Sequence, residues 1–377
     1  MDYIDSLSDY GKKLYALGQG YGGWKNAHLH CDRGGTLDSK YWHDASIDPF
    51  EAGTYSLAAK QNLTGELHKG PAYEYDDLYK RIRKELLREK MLGTKSATSL
   101  IDATPDVGLV AIKAALQVKQ ELLGKIEFII GTQPIFGFKN PALNPDRWNA
   151  FREASMIDGV DVLGALPEKD AAPDKIGAKE HIELVLKLGI ELNKEVHVHV
   201  DQGNDPRENG TEMLIECVNE FGSPKVSDCS MPTVWAVHAI STSCYDEYRF
   251  RSLLENLKRH NIGIICCPRA AISMRQLRPL DAPIHNSITR VLEMVRHEIP
   301  IRIGTDNIAD IFIPTGNGNI LDELILASDI LRYYVPKLWA KLGCGETLND
   351  MDRDLVSRAL YQENKVFRQL YGAFPFI

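Results

Sequence analysis

Val196-His197-Val198-His199-Val200-Asp201 alternates a β-branched apolar residue with a polar one and stops at an aspartate. Side chains along a strand point to opposite faces in turn, so the three valines share one face and His197, His199 and Asp201 the other. The same pattern repeats outward from this stretch. Short apolar, β-branched runs at 27–30, 97–102, 126–132, 160–166, 233–238, 262–267 and 301–306 alternate with helix-period segments at 78–91, 107–123, 178–192, 208–221, 245–260 and 288–296. With 196–201 this makes eight strands, each followed by a helix or a long loop. That is the count of an α/β protein built as a (β/α)8 TIM-like barrel, and a doubly wound open sheet is the alternative.

No internal repeat, low-complexity tract or Pro/Gly-rich linker divides the chain, so residues 1–377 read as a single barrel domain. Residues 31–79 begin as a loop that is expected to fold over the barrel mouth. Residues 350–377 are expected to close the barrel, with one or two helices over 350–370. The Lys/Arg-rich stretch 80–90 (KRIRKELLREK) is broken by acids and by apolar residues at helical spacing, and reads as a solvated helix face.

Composition narrows the function classes. There are 44 Lys+Arg against 52 Asp+Glu, a formal net charge of −8, and no basic stripe that would release counterions from a nucleic acid. The N-terminus has neither the charged nor the apolar region of a signal peptide, and no stretch approaches the roughly 18 apolar residues of a membrane span. Seven cysteines at irregular spacing, with Cys266 and Cys267 adjacent in an apolar run, read as reduced buried thiols. The expectation is a cytoplasmic protein acting on a small molecule, without nucleic-acid or membrane partners. Barrels of this kind often pair, so a homo-oligomer is a further expectation.

Polar residues gather where the strands end. The first strand finishes in His28-Leu29-His30, the fifth in His199-Val200-Asp201, the sixth at His238 and the eighth at Asp306. A barrel collects its strand ends around one mouth, where catalytic groups of this fold sit. Neutral imidazoles with a carboxylate are the ligand set of a divalent transition metal, whose open position lowers the pKa of water. Each feature alone has a plain structural reading: a strand-end histidine satisfied by hydrogen bonds, or an aspartate capping the next helix. Their coincidence on four strand ends is what points to a metal.

In these residues the chain resembles the amidohydrolase superfamily, and within it the cytosine deaminase branch. The likeness rests on His28-Leu29-His30-Cys31-Asp32, Val198-His199-Val200-Asp201-Gln202, Val237-His238-Ala239, Cys267-Pro268-Arg269 and the run 304–319 (GTDNIADIFIPTGNGN). The last run looks especially like the s-triazine N-alkyl hydrolases of the N-isopropylammelide isopropylaminohydrolase type. The resemblance implies that His28, His30, His199 and Asp306 bind one divalent ion, zinc or iron, with manganese a further choice. It makes His238 the general base or proton shuttle and puts Gln133 on the substrate's amide edge. His197 competes with His199 as the fifth-strand ligand; His199 lies nearer the strand end and in the HxDQ segment that matches the family's HxDE.

Two positions depart from the cytosine deaminases. Gln202 stands where those enzymes carry the glutamate that protonates the ring nitrogen, and an amide cannot transfer a proton this way. Asn307 replaces a second aspartate, as in the triazine hydrolases. With 27 residues before His28 and a short helical end, no accessory β-sandwich is expected, and the fourth strand lacks a lysine that could bridge two metals. Glu168 reads as a solvated loop carboxylate more readily than a substrate contact. Arg33 and Arg269 each read as either a carboxylate-binding group or a structural ion pair. Tyr41, Trp42 and Phe312 are pocket walls or packing.

The expected activity is metal-dependent hydrolysis of a C–N bond in a small cyclic amide or amino-substituted N-heterocycle. His238, Asp306 and Gln202 would be catalytic, and Gln133, Arg269 and Asn307 would bind substrate. Hydrolysis of a linear amide, carbamate or lactone is the second reading, and a non-catalytic metal-containing binding barrel the third.

Overall fold

Every predicted β-branched run is a strand. The structure, a computed structural model, describes residues 3–42, 46–226, 231–274 and 285–371. The strands are β1 (Trp24–Leu29), β2 (Thr94–Asp102), β3 (Glu127–Gln133), β4 (Val160–Ala165), β5 (Glu195–Val200), β6 (Val234–His238), β7 (Ile262–Cys266) and β8 (Ile301–Ile303). They pair in parallel in the order β1 to β8. Past the end of β8 the chain returns to β1: the Asp306 amide donates to the His28 carbonyl at 2.9 Å, and the His30 amide donates to the Asp306 carbonyl at 3.2 Å. The sheet therefore closes as a (β/α)8 TIM-like barrel, and the open-sheet alternative falls.

β8 is shorter than the run 301–306 because the chain leaves its ladder to make this closure. Gly304 allows the approach: a Cβ there would lie 2.8 Å from both Cβ and the carbonyl oxygen of His28. Asn26 ties the same seam, donating to Thr305 Oγ1 at 2.8 Å and accepting from the Thr305 amide at 3.1 Å. The valines of β5 are fully or almost fully buried, as a parallel strand covered on both faces requires. They face the outer layer, where helices Ala178–Leu192 and Gly210–Phe221 pack, and the histidines face the barrel axis.

Two expectations change. The stretch 80–90 lies in helix Tyr75–Met91, which buries Arg81, Glu85 and Glu89 together with Leu78, Ile82 and Leu86. Arg81 donates to the carbonyls of Asp32 (2.6 Å), Gly34 (3.0 Å) and Ala72, and so holds the turn after β1. Glu89 accepts from Asn26 at 2.9 Å. These charges act inward, against the reading of a solvated face. Residues 31–79 are not simply a loop, since they contain helix Leu57–Lys69, which borders the cavity described below. The C-terminal segment is one helix, Asp350–Tyr371. Among the described residues no helix is long and apolar enough to cross a membrane. The six described cysteines are unpaired, and Cys266 and Cys267 are buried.

Candidate metal centre

The ends of β1, β5, β6 and β8 bring His28, His30, His199, His238 and Asp306 together, each less than a tenth exposed. His28, His30 and His199 each direct one ligand atom into a common space in which these atoms lie within 4.8 Å of one another, and His28, His238 and Asp306 do the same. Nε2 of His199 is 3.2 Å from Nε2 of His28. Asp306 Oδ1 is 3.3 Å from His30 Nε2 and 3.7 Å from His28 Nε2, and its Oδ2 is 3.8 Å from His238 Nε2. His238 and Asp306 have φ of 72° and 61°, a left-handed backbone that non-glycine residues rarely adopt. That turn at each strand end aims both side chains back into the cluster, a strain of the kind that functional sites hold.

The outward ring nitrogens fix the tautomers. Nδ1 of His30 lies 3.1 Å from the Leu100 carbonyl, and Nδ1 of His199 lies 3.1 Å from the Ala165 carbonyl. A carbonyl only accepts, so each Nδ1 carries the proton and each Nε2 presents a lone pair inward. Burial, then the other histidines around them, push His28 and His199 well below the ordinary imidazole value. Burial also lowers His238, against the opposing charge of Asp306. Burial would raise the Asp306 carboxyl, but its contact with His30 and the imidazoles of His238 and His199 around it hold it below the usual carboxylate range. Neutral nitrogen lone pairs converging beside an ionised carboxylate repel one another unless a cation lies between them. The donor set therefore fits a divalent metal.

His197 stays outside this group. It points to the same side of β5 but one layer deeper, with Nε2 3.3 Å from Glu195 Oε2.

Above the cluster lies a cavity of about 790 Å³, lined among others by Gln133, Glu168, Gln202, Glu208, Asn307 and Phe312. Gln133 ends β3, is 1% exposed, and has a buried Oε1 without a partner. Asn307 also reaches the cavity, but donates its amide to Asp310 Oδ2 at 2.6 Å. Arg269 does not line it: its Nε and backbone N–H are taken by Glu323 at 3.0 and 2.8 Å. Arg33 does line it while forming a two-pronged pair with Asp102 at 2.7 and 2.9 Å, and its Nε is buried without a partner. Phe312 is a wall with the Arg33 guanidinium 5.2 Å from its ring centre, whereas Tyr41 and Trp42 are packing residues outside the lining.

One lining group was misread from the sequence, and two escaped it. Glu168 is no solvated carboxylate: it accepts from Gln61 Nε2 at 2.7 Å and from Gln202 Nε2 at 3.0 Å. Glu208 accepts from the Gly203 amide at 2.8 Å and from Ser241, and burial pushes its carboxyl up to about 7. Lys60 has its ammonium on the carbonyl of Phe312 at 3.1 Å, and burial lowers its pKa. Each has at least one partner far along the chain, Gln61 for Glu168, Ser241 for Glu208 and Phe312 for Lys60, which no local pattern reveals.

No protein-family model matches the chain. A protein of Haemophilus influenzae, described only as uncharacterized, is 29% identical over 278 residues, which span 73% of this chain and 91% of that one. The crystal structure of 5-methylcytosine deaminase from Klebsiella pneumoniae, liganded with 5-fluorocytosine, is similar with a TM-score of 0.69 at 23% identity, over 89% of this chain and 82% of that one. N-isopropylammelide isopropylaminohydrolase from Burkholderia multivorans is similar with a TM-score of 0.61 at 16% identity, over the same shares. At these identities the likeness establishes a shared barrel fold.

Proposed function

We propose that this barrel is a metal-dependent hydrolase of the amidohydrolase superfamily that cleaves a C–N bond of a small cyclic amide or amino-substituted N-heterocycle. The observation that carries the reading is the convergence of His28, His30, His199 and Asp306, with His238 beside them, on the floor of a cavity sized for a small molecule. The N-heterocycle hydrolases that share the fold support the substrate class.

His28, His30, His199 and Asp306 would hold one divalent ion, zinc or iron, which when bound supplies a Lewis acid that acidifies water. His238 is neutral at neutral pH and accepts the water's proton at Nε2. Asp306 Oδ2, facing that nitrogen at 3.8 Å, stabilises the imidazolium and can pass the proton on to the leaving nitrogen. Gln133 and Gln202 orient the ring by hydrogen bonds, and the buried walls keep bulk water from the reacting carbon.

The test is elemental analysis of protein purified without added metal or chelator, beside a His28→Ala/His30→Ala variant and a screen of amino-heterocycles for amine release. About one metal per chain, absent from the variant, together with metal-dependent amine release is the expected result. No metal on purification or reconstitution would overturn the reading, and a new carboxylate formed without amine would move it to a lactone or ester. His238→Ala should keep its metal and lose turnover by about 10²–10⁴-fold.

A further inference from the structure

We propose that Glu168 sets the hydrogen-bonding polarity of Gln202, so that the cavity selects a ring presenting an N–H, a lactam or imide, to the Gln202 carbonyl. The inference rests on the hydrolase reading above and narrows its substrate class.

Glu168 lies in the turn Pro167–Asp170 directly after β4, Gln61 on helix Leu57–Lys69, and Gln202 directly after β5. Each oxygen of Glu168 takes one amide: Oε1 from Gln61 at 2.7 Å and Oε2 from Gln202 at 3.0 Å. Among the described residues no cation pairs with the carboxylate, and the neighbouring Lys169 donates to Asn62 Oδ1 at 3.3 Å instead.

Burial raises the Glu168 carboxyl and the two amide bonds oppose that rise; with an amide N–H on each oxygen the carboxylate acts as an acceptor only, and so fixes which end of a carboxamide faces it. The NH₂ of Gln202 is committed to Glu168. Its Oε1 takes no hydrogen bond from the described residues, and the residue lines the cavity while being 5% exposed. A ring nitrogen without a proton would set lone pair against lone pair there, whereas an N–H completes the bond. This is the opposite polarity to an acidic side chain that donates a proton at this place. A substrate already in its oxo form needs no such donor.

Uracil and cytosine have the same shape and carry at N3 an N–H and a bare nitrogen respectively, which makes them the probe pair. Calorimetric titration of the metal-containing protein as purified should give uracil about tenfold or more the affinity of cytosine. In Glu168→Gln the new amide accepts either orientation of Gln202, so the ratio should fall to within about threefold with metal content and Tm retained. A purely structural role for Glu168 would weaken both rings together and leave the ratio standing. Equal affinities in the native protein, a preference for cytosine, a ratio untouched by Glu168→Gln, or failure of both rings to bind each overturns the proposal. Amine release from the heterocycle screen separates the two levels. If amine is released while the ratio is absent, only the polarity assignment falls; if neither ring binds and no amine appears, the hydrolase reading falls with it.

Discussion

His197 and His199 stand two residues apart on β5, on the same face and equally out of contact with solvent, yet they belong to different kinds of place. His197 looks at Glu195 Oε2 at 3.3 Å, and Glu195 is also held by Arg302 at 3.0 Å. The guanidinium in turn sits 3.8 Å from the ring centre of Trp235. This deeper layer answers each charge with a counter-charge. Burial alone would raise the Glu195 carboxyl, but the bond from His197 and the Arg302 charge bring it down to about 2. One layer up, His199 has its outer nitrogen satisfied by a carbonyl, and its inner nitrogen faces other imidazoles with a single carboxylate among them. The lower layer pairs its acid with two donors and leaves a single buried nitrogen, His197 Nδ1, without a partner, whereas the upper layer turns several lone pairs on one point, which a bound cation would complete. A binding layer is thus marked by lone pairs that converge, since both layers hold histidine and acid.

The largest expected effect breaks this comparison at its centre. His199 is a proposed ligand of the upper layer, so His199→Ala should lower metal affinity by at least the roughly 10–100-fold typical of losing even an outer-shell partner. His197→Gln should leave metal content unchanged, because its nitrogen serves Glu195. Competition with a chromophoric chelator measures both. Loss of metal in His197→Gln with retention in His199→Ala would reverse the assignment of the two layers.

A smaller effect belongs to the lower layer. Arg302→Ala leaves Glu195 with His197 as its remaining polar partner in the barrel floor. It should cost about 1–3 kcal/mol of stability, the usual range for a buried acceptor robbed of its donor in a site that water partly reaches. Denaturant titration at constant metal occupancy is the measurement. Unchanged stability would mean that Trp235 and solvent already satisfy the floor, and that the contrast between layers lies only in the mouth.

How far the sequence reveals these layers depends on how local each signal is. The strands were legible because parallel barrel strands are apolar and β-branched by necessity, and their polar ends fall at fixed places. All five residues of the cluster could be named for that reason. Helix Leu57–Lys69 could not: its buried positions are Lys60, Gln61, Thr64 and His68 along with Leu67; Lys60 and Gln61 border the polar cavity, and His68 is bonded to Asp102 and Asp106. The apolar period that identifies a helix is missing where the helix serves the site. Glu168 was misread because its partners, Gln61 and Gln202, arrive from 107 and 34 residues away. The same holds for Arg269, whose Glu323 partner lies 54 residues on.

The smallest effect per group comes from pH, and it sharpens the comparison by separating the layers in the metal-free protein. Burial holds His28, His199 and His238 below the ordinary imidazole value of 6.5 in the folded state. As pH falls below that value the unfolded chain takes up protons that the folded chain refuses, so stability falls with acidification. The limiting slope is about 1.4 kcal/mol per pH unit for each such imidazole. His197 adds one more group of the same sign, burial outweighing Glu195. Glu195, depressed from 4.5 to about 2, acts in a lower window: its contribution is intact above about 4.5 and drains away as pH falls towards 2. Buried Glu89, Glu208 and Glu323, pushed up to about 8, 7 and 7, act with the opposite sign between those values and 4.5, so the mouth is read by difference. Urea unfolding from pH 8 to 3 should show the native protein losing stability relative to His199→Gln from about 6.5 downward, by up to about 1.4 kcal/mol per pH unit, with the lower window the same in both. A native protein that gains stability relative to His199→Gln on acidification through 6.5 would mean that His199 is charged in the fold, and that its lone pair does not point inward as the metal site requires.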